Sequence, residues 1–173
     1  EVMLIKGRTA NADNWRSYHR SLSDPTENYM KLNTNDAQTD GAQTTWNSTG
    51  PTTSVFSVAT DNSNNADTKT YIAYCFNSVQ GYSKVGSWTG CGNADGTYVH
   101  LGFRPAFLLY KNRDGANGWA IVDSKRETFN VMGDSNLYPE SNGAESGNSN
   151  YYLDFLSNGF KLRTSDDQIN NRG

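Results

Sequence analysis

The chain has 173 residues, a formal net charge of −3 at pH 7 and only 15 Lys plus Arg. A mildly acidic chain without basic clusters lacks the electrostatic footprint of a nucleic-acid-binding protein, and no apolar run reaches the roughly 18–20 residues that membrane insertion by a helix requires. Leu, Ile, Val and Phe are scarce, which by itself indicates disorder, but the small net charge and the 12% aromatic content favour a folded β protein with a thin core.

Short apolar or alternating runs, bounded by Gly, Asn and Asp, predict β-strands along the whole chain, and no stretch keeps a helical period. The predicted strands of the first half are 2–6, 15–19, 29–32, 55–58 and 71–76. Those of the second half are 82–89, 97–101, 106–110, 119–123, 151–155 and 160–163. This pattern predicts an all-β fold of the sandwich or jelly-roll kind.

An internal repeat divides the chain. The pattern around Lys6 and Trp15 reappears around Lys111 and Trp119, shifted by about 105 residues, and Val55–Asp61 aligns with Phe160–Asp166. Repetition is an architectural device more than a catalytic one. We therefore expect two similar antiparallel β-sandwich repeats in close contact, residues 1–81 and residues 82–173.

The repeat is cut at an unusual place. Residues 82–104 have no counterpart before residue 1, and Tyr71–Phe76 has none after Gly173. We expect the first repeat to lack its opening strands and the second its closing strand. The residues expected to lie at open assembly edges are Val2, Leu4, Phe160 and Leu162.

The two cysteines, Cys75 and Cys91, flank a segment that reads as strand, turn and strand. One interpretation is a cross-strand disulfide, which would stabilise the fold by about 3 kcal/mol. The other is a buried Cys75 in an apolar strand and an unrelated Cys91 in a loop.

Residues with catalytic or metal-binding chemistry are few and scattered. His19 and His100 share no motif spacing with each other or with the cysteines, so we predict no catalytic residues and no transition-metal site. Carboxylates fall mostly in Asn/Gly-rich turns, where Asx-turns already explain them. Oxygen donors occur at alternate positions in residues 61–67, a spacing that calcium-binding loops also show. The alternative is a solvated loop without a bound ion.

Two features bear on glycans. Asn47 begins an Asn-x-Ser/Thr sequon and is a candidate N-glycosylation site. Trp46 and Trp88 are candidates for stacking on sugar rings, although buried packing is the commoner role of Trp.

Five sequence strings resemble an uncharacterised tandem β domain of phage structural proteins from marine and aquatic environments. The strings are 15–22, 71–90, 102–107, 123–126 and 154–163. In tail-fibre-like or adhesin-like proteins this domain often follows concanavalin A-like (laminin G-like) modules. The resemblance implies a virion or extracellular structural role and supplies no catalytic residues.

The leading hypothesis is a non-enzymatic structural protein, a segment of a phage tail fibre or host-adhesion appendage. One alternative is a subunit of an extracellular filament in which neighbouring copies exchange strands. A second alternative is a module that binds cell-surface glycans. No resident cofactor is expected, and copies of the chain are the expected partners.

Overall fold

The computed structural model of the chain describes residues 1–9 and 13–171 and is all-β, as predicted. Its strands are β1 (Val2–Gly7), β2 (Arg16–His19), β3 (Asn28–Lys31), β4 (Thr39–Asp40), β5 (Tyr71–Phe76), β6 (Tyr98–His100), β7 (Phe107–Tyr110), β8 (Ala120–Asp123), β9 (Leu153–Leu156) and β10 (Gly159–Leu162). Two one-turn helices, α1 (Asn62–Asn65) and α2 (Asp167–Asn170), and a 3₁₀ turn at Ser149–Tyr151 complete the secondary structure.

The strands form three antiparallel sheets. The first has five strands in the order β4-β3-β2-β1-β5, the second has three in the order β6-β10-β9, and the third is the β7-β8 pair. Burial alternates along β1, where Met3 and Ile5 are buried and their neighbours are half-buried, so one face of the first sheet covers a core.

Buried side chains fall into three clusters. One draws only on residues 3–71 and includes Trp46, and a second draws only on residues 88–169. The third joins the two halves of the chain, because Trp119 packs there against Leu22 and Met30.

Two predicted strands are wrong. Residues 55–58 form no strand, and Val55 is 63% exposed. Residues 82–89 are not a strand either, since Val79 and Ser83 close a tight turn and the chain then runs on in irregular conformation. Both segments lack a neighbouring strand with which to form a ladder, and local β propensity alone does not make one.

The two short helices begin in the same way. The Asp61 carboxylate accepts a hydrogen bond from the Ser63 N–H at 2.7 Å, and the Asp166 carboxylate accepts one from the Gln168 N–H at 2.9 Å. Each aspartate is therefore an N-cap, and the two caps are 105 residues apart.

Candidate functional site: the open sheet edges

Strand β5 lies at the edge of the five-stranded sheet. One side of its backbone pairs with β1, with Leu4 opposite Tyr74, and no described strand pairs with its other side. On one face Ile72, Tyr74 and Phe76 are 42%, 45% and 50% exposed.

The composition of β5 is unusual for a solvent-exposed edge. Its sequence, Tyr-Ile-Ala-Tyr-Cys-Phe, contains no charge and no proline, the devices that natural proteins use to protect edges. A continuous apolar run of this length is typical of a strand covered on both faces. The edge of β5 therefore has the character of a surface that another chain segment covers.

Strand β7 offers a second open edge. Among the described strands it pairs with β8 alone, and Phe107 is 58% exposed. The pairing repeats that of β1 with β2: Val2 lies opposite His19, and Phe107 lies opposite Asp123. Since β1 carries β5 on its other side, β7 lacks, within the part of the chain that the structure describes, the neighbour that its counterpart has.

A large cleft lies against β7. Its volume is about 1350 Å³, and its walls include β7, the Trp88 region and the outward face of β1 at Val2 and Leu4. Most of its lining is apolar.

Glu1, at the start of β1, contacts the segment that follows β5. Its carboxylate accepts hydrogen bonds from the Ser78 N–H at 2.7 Å and from the Ser78 hydroxyl, and it pairs with Arg20. The Ser78 hydroxyl is the main cause that lowers the pKa of Glu1 to about 2. The contacts with Ser78 hold the segment directly after β5 against the start of β1.

A buried ion pair supports the core under the first sheet. Arg16 is 8% exposed, and its guanidinium donates to both Asp61 carboxylate oxygens, at 2.8 and 3.1 Å. The same guanidinium lies 4.2 Å from the ring centroid of Tyr29. Burial acts to raise the pKa of Asp61, but hydrogen bonds from Arg16 and Ser63 outweigh it and hold that pKa below its usual value.

The family model of a domain of unknown function, DUF7483, matches residues 1–173. The chain belongs to this family. No curated protein and no solved structure matches it.

The predicted assembly edges are wrong in their positions. Val2 and Leu4 lie on β1, which is paired on both sides by β2 and β5. Phe160 and Leu162 lie on β10, the central strand of its sheet, and are 1% and 0% exposed. Strands β5 and β7 are among the edge strands instead, because β5 folds back onto β1 and residues 98–100 fold onto β10.

Neither interpretation of the cysteines fits the structure, since both thiols are free, which excludes the disulfide, and both are exposed, which excludes a buried Cys75. Cys75 lies on β5 opposite Met3. The Cys91 N–H donates to Asn170 Oδ1 at 2.8 Å, on the other half of the chain. The hairpin that was expected to join the two cysteines does not form.

The structure corrects the proposed sugar-stacking residues. Trp46 is 1% exposed and donates its indole N–H to the Asn28 carbonyl at 2.8 Å, so its ring is unavailable to a ligand. Trp88 is half-buried and packs edge-on against Tyr110 and Phe160. Asn47 is exposed, and its glycosylation stays a prediction.

The calcium alternative for residues 61–67 does not fit the observed contacts. Asp61 is committed to Arg16 and to its cap, and Asn65 donates to the Ala59 carbonyl at 2.5 Å. Within residues 1–9 and 13–171, no cluster of three or more His, Cys, Asp or Glu has a metal-binding arrangement. No helix in that part of the chain is long and apolar enough to span a membrane.

Sequence reasoning missed the edge of β5 as a surface. The signal was present, since an uncharged apolar hexapeptide predicts a strand that is covered on both faces. What the sequence did not reveal is that only one side of this strand has a partner within the described residues.

Proposed function

We propose that the chain is a non-enzymatic structural protein, a segment of a phage tail fibre or host-adhesion appendage of a virion or extracellular particle, that assembles with copies of itself. The observation that carries the proposal is the relation between β5 and β7: β5 covers the outer side of β1, and the corresponding side of β7 is open. The virion setting rests on the resemblance of the five sequence strings to a domain of phage structural proteins.

The arrangement behind the proposal is two similar β-sandwich-like repeats. Support comes from the equal register of the β1–β2 and β7–β8 pairs and from the two aspartate caps. In this arrangement a strand like Tyr71–Phe76, supplied by a second copy, pairs with β7 inside the cleft. Main-chain hydrogen bonds would supply affinity, and apolar pockets would supply selectivity, as in strand addition generally.

The test is assembly of the purified chain as a function of concentration, followed by sedimentation and electron microscopy. Assembly into fibres is expected, and a monomer at all concentrations would overturn the proposal. A variant with a second Tyr71–Phe76 segment appended after Gly173 is expected to stay small, because the added strand occupies β7. Fibres that form equally well from that variant would refute the role of β7.

A matched pair of substitutions separates an edge effect from general surface polarity. Tyr74→Lys places a charge on β5 and is expected to prevent assembly. Phe129→Lys changes a side chain that is 83% exposed and belongs to neither β5 nor β7, so it should leave assembly intact. Hydrolysis of a polysaccharide that is lost on replacing one carboxylate would instead show an enzyme.

A further inference from the structure

Three Asn-Gly pairs occur in the chain, with the asparagines at Asn117, Asn142 and Asn158. In such a pair the next backbone nitrogen can attack the side-chain carbonyl carbon of the Asn, because glycine has no side chain that hinders the approach. The attack requires a rotation of the Asn side chain and backbone, and a glycine N–H that can lose its proton. Whether each pair reacts therefore depends on how firmly the fold holds it.

The pair of Asn158 and Gly159 is held in the second sheet. The Asn158 carbonyl accepts hydrogen bonds from the Leu101 and Gly102 N–H groups at 2.9 and 3.1 Å, and its side-chain Oδ1 accepts one from the Tyr98 hydroxyl at 2.7 Å. Gly159 is buried in the central strand β10, with paired strands on both sides. Rotation at this pair would break these bonds, so the folded chain protects it.

The pair of Asn117 and Gly118 is restrained by its neighbours. The Asn117 carbonyl accepts a hydrogen bond from the Lys111 ammonium at 2.5 Å, and the Asn117 side-chain oxygen lies close against Gly115. The Glu140 carboxylate lies beside Gly118. A nearby negative charge disfavours loss of the Gly118 amide proton, because the resulting anion would be repelled. This pair is therefore also protected in the folded chain.

The pair of Asn142 and Gly143 lies in the loop that connects Tyr138 with Ser146, and both of its residues are exposed. Among the described residues, none makes a hydrogen bond with the Asn142 side chain. The Gly143 N–H donates to the exposed Ser141 hydroxyl at 3.1 Å. A Cβ on Gly143 would meet this hydroxyl at 3.3 Å and no other described atom within 4 Å, so the loop has room for the rotation.

We propose that Asn142 is a site of spontaneous deamidation and is the Asn-Gly asparagine that reacts in the folded chain. The Gly143 nitrogen gives its proton to water or hydroxide and forms a bond to Asn142 Cγ. The Cγ–Nδ2 bond then breaks, and the amide nitrogen takes up a proton and leaves as ammonia. Water opens the cyclic imide at one of its carbonyls and yields aspartate or isoaspartate. The reaction needs no enzyme and does not depend on the assembly proposed above.

The reaction adds a negative charge to a loop that already carries Glu140 and Glu145. Glu145 is paired with Arg126 at 3.6 Å, and its side chain is 53% exposed. The base of the loop is closed by two backbone hydrogen bonds between Asn136 and Ser146, at 3.1 and 3.2 Å. Because the change is confined to an exposed loop tip, we expect the core to stay folded while the surface becomes more acidic.

The test compares the folded chain with the same chain kept unfolded in guanidinium chloride. Both samples are aged in one neutral to mildly alkaline buffer, and their peptides are analysed by mass spectrometry. In the folded sample we expect deamidation at Asn142, whereas in the unfolded sample all three pairs should react. If Asn142 reacts no faster than Asn117 and Asn158 in the folded chain, the inference is overturned. Native charge separation should show a single additional acidic species.

Two variants examine the site itself. Gly143→Ala should slow the reaction at Asn142 severalfold, because the added methyl group hinders the attacking nitrogen, and the open loop accommodates it. Ser141→Ala is the matched control: it removes the hydroxyl that holds the Gly143 N–H and should leave the reaction as fast or faster. An unchanged rate in Gly143→Ala, or a lost reaction in Ser141→Ala, would contradict the proposed attack.

The pH dependence gives an independent check. Attack by a deprotonated Gly143 nitrogen predicts a rate that rises from mildly acidic to mildly alkaline buffer. A rate that falls over this interval would overturn the mechanism.

Discussion

The Trp119 indole N–H donates to the Lys31 carbonyl oxygen at 2.9 Å, and this hydrogen bond joins the two halves of the chain. The ring itself is 6% exposed and packs against Leu22 and Met30. Trp15, at the corresponding place in the first half, instead stacks on Tyr74 with 6.2 Å between ring centroids. One repeated residue therefore has two different roles.

Trp119→Ala should lower the free energy of unfolding by about 3–5 kcal/mol, because it removes a large buried ring and leaves a cavity. Trp15→Ala should cost about 1–2 kcal/mol, since Trp15 is half-exposed. Urea denaturation of both variants measures the difference. An equal loss in the two variants would contradict a specific joining role for Trp119.

Asp61→Ala should cost about 3–5 kcal/mol, because it leaves the Arg16 guanidinium buried without a counter-charge. The control is Asp36→Ala, which removes an ion pair with Lys31 at 2.8 Å whose carboxylate side chain is 48% exposed. That change should cost less than about 1 kcal/mol. Thermal or urea unfolding at neutral pH compares the two, and a small effect of Asp61→Ala would argue against the buried pair as a major support.

Glu1 should make the fold sensitive to acid. Its pKa is lowered to about 2 from the ordinary 4.5, so the unfolded chain binds a proton more readily in this interval. The stabilisation is therefore complete above about pH 4.5 and is lost as the pH falls toward 2. The urea midpoint of the native protein should fall as the pH is lowered across this range. This pH dependence should be much smaller in Glu1→Gln and somewhat smaller in Ser78→Ala. An unchanged pH dependence in both variants would contradict the role of Glu1.

Gly159→Ala should break the pairing of β6 with β10. A Cβ at this position would lie 2.0 Å from the Val99 carbonyl oxygen, whereas one at Gly86 would meet nothing within 4 Å. We expect a loss of roughly 3 kcal/mol or more for Gly159→Ala and a change within about 0.5 kcal/mol for Gly86→Ala. Amide hydrogen exchange at Val99 and Phe160 should accelerate only in the first variant, and protection retained there would contradict the geometry.

Both thiols should react with a thiol reagent in the native protein without reductant. The Asn93 backbone N–H is the main cause that lowers the pKa of Cys91, so its thiolate fraction at neutral pH is raised. Cys75→Ser and Cys91→Ser should each remove one reactive group from a total of two. Thiols that appear only after reduction would instead establish the disulfide.

Much of the strand content followed from the sequence. Runs such as Val2–Lys6 and Phe160–Arg163 became strands close to their predicted positions, because short apolar segments between Gly and Asn turns have few alternatives. Residues 55–58 and 82–89 were also predicted as strands and did not form them. The difference depends on whether a neighbouring strand is present, which local composition does not encode.

The open edges were less predictable, for the same reason. The sequence pattern placed the unpaired edges on β1 and β10. Those strands found partners far along the chain, β5 for β1 and β6 for β10. Strand order depends on such long-range pairings, so the unpaired edges lie on other strands, among them β5 and β7.

The edges of β5 and β7 differ in sequence and surroundings, and this gives any assembly joined through them a direction. Each copy would present one kind of edge forwards and the other kind backwards, and no two-fold rotation would exchange them. The two tips of a growing fibre would then be chemically distinct. A reagent that covers only one kind of edge would stop growth at one tip and leave the other able to extend.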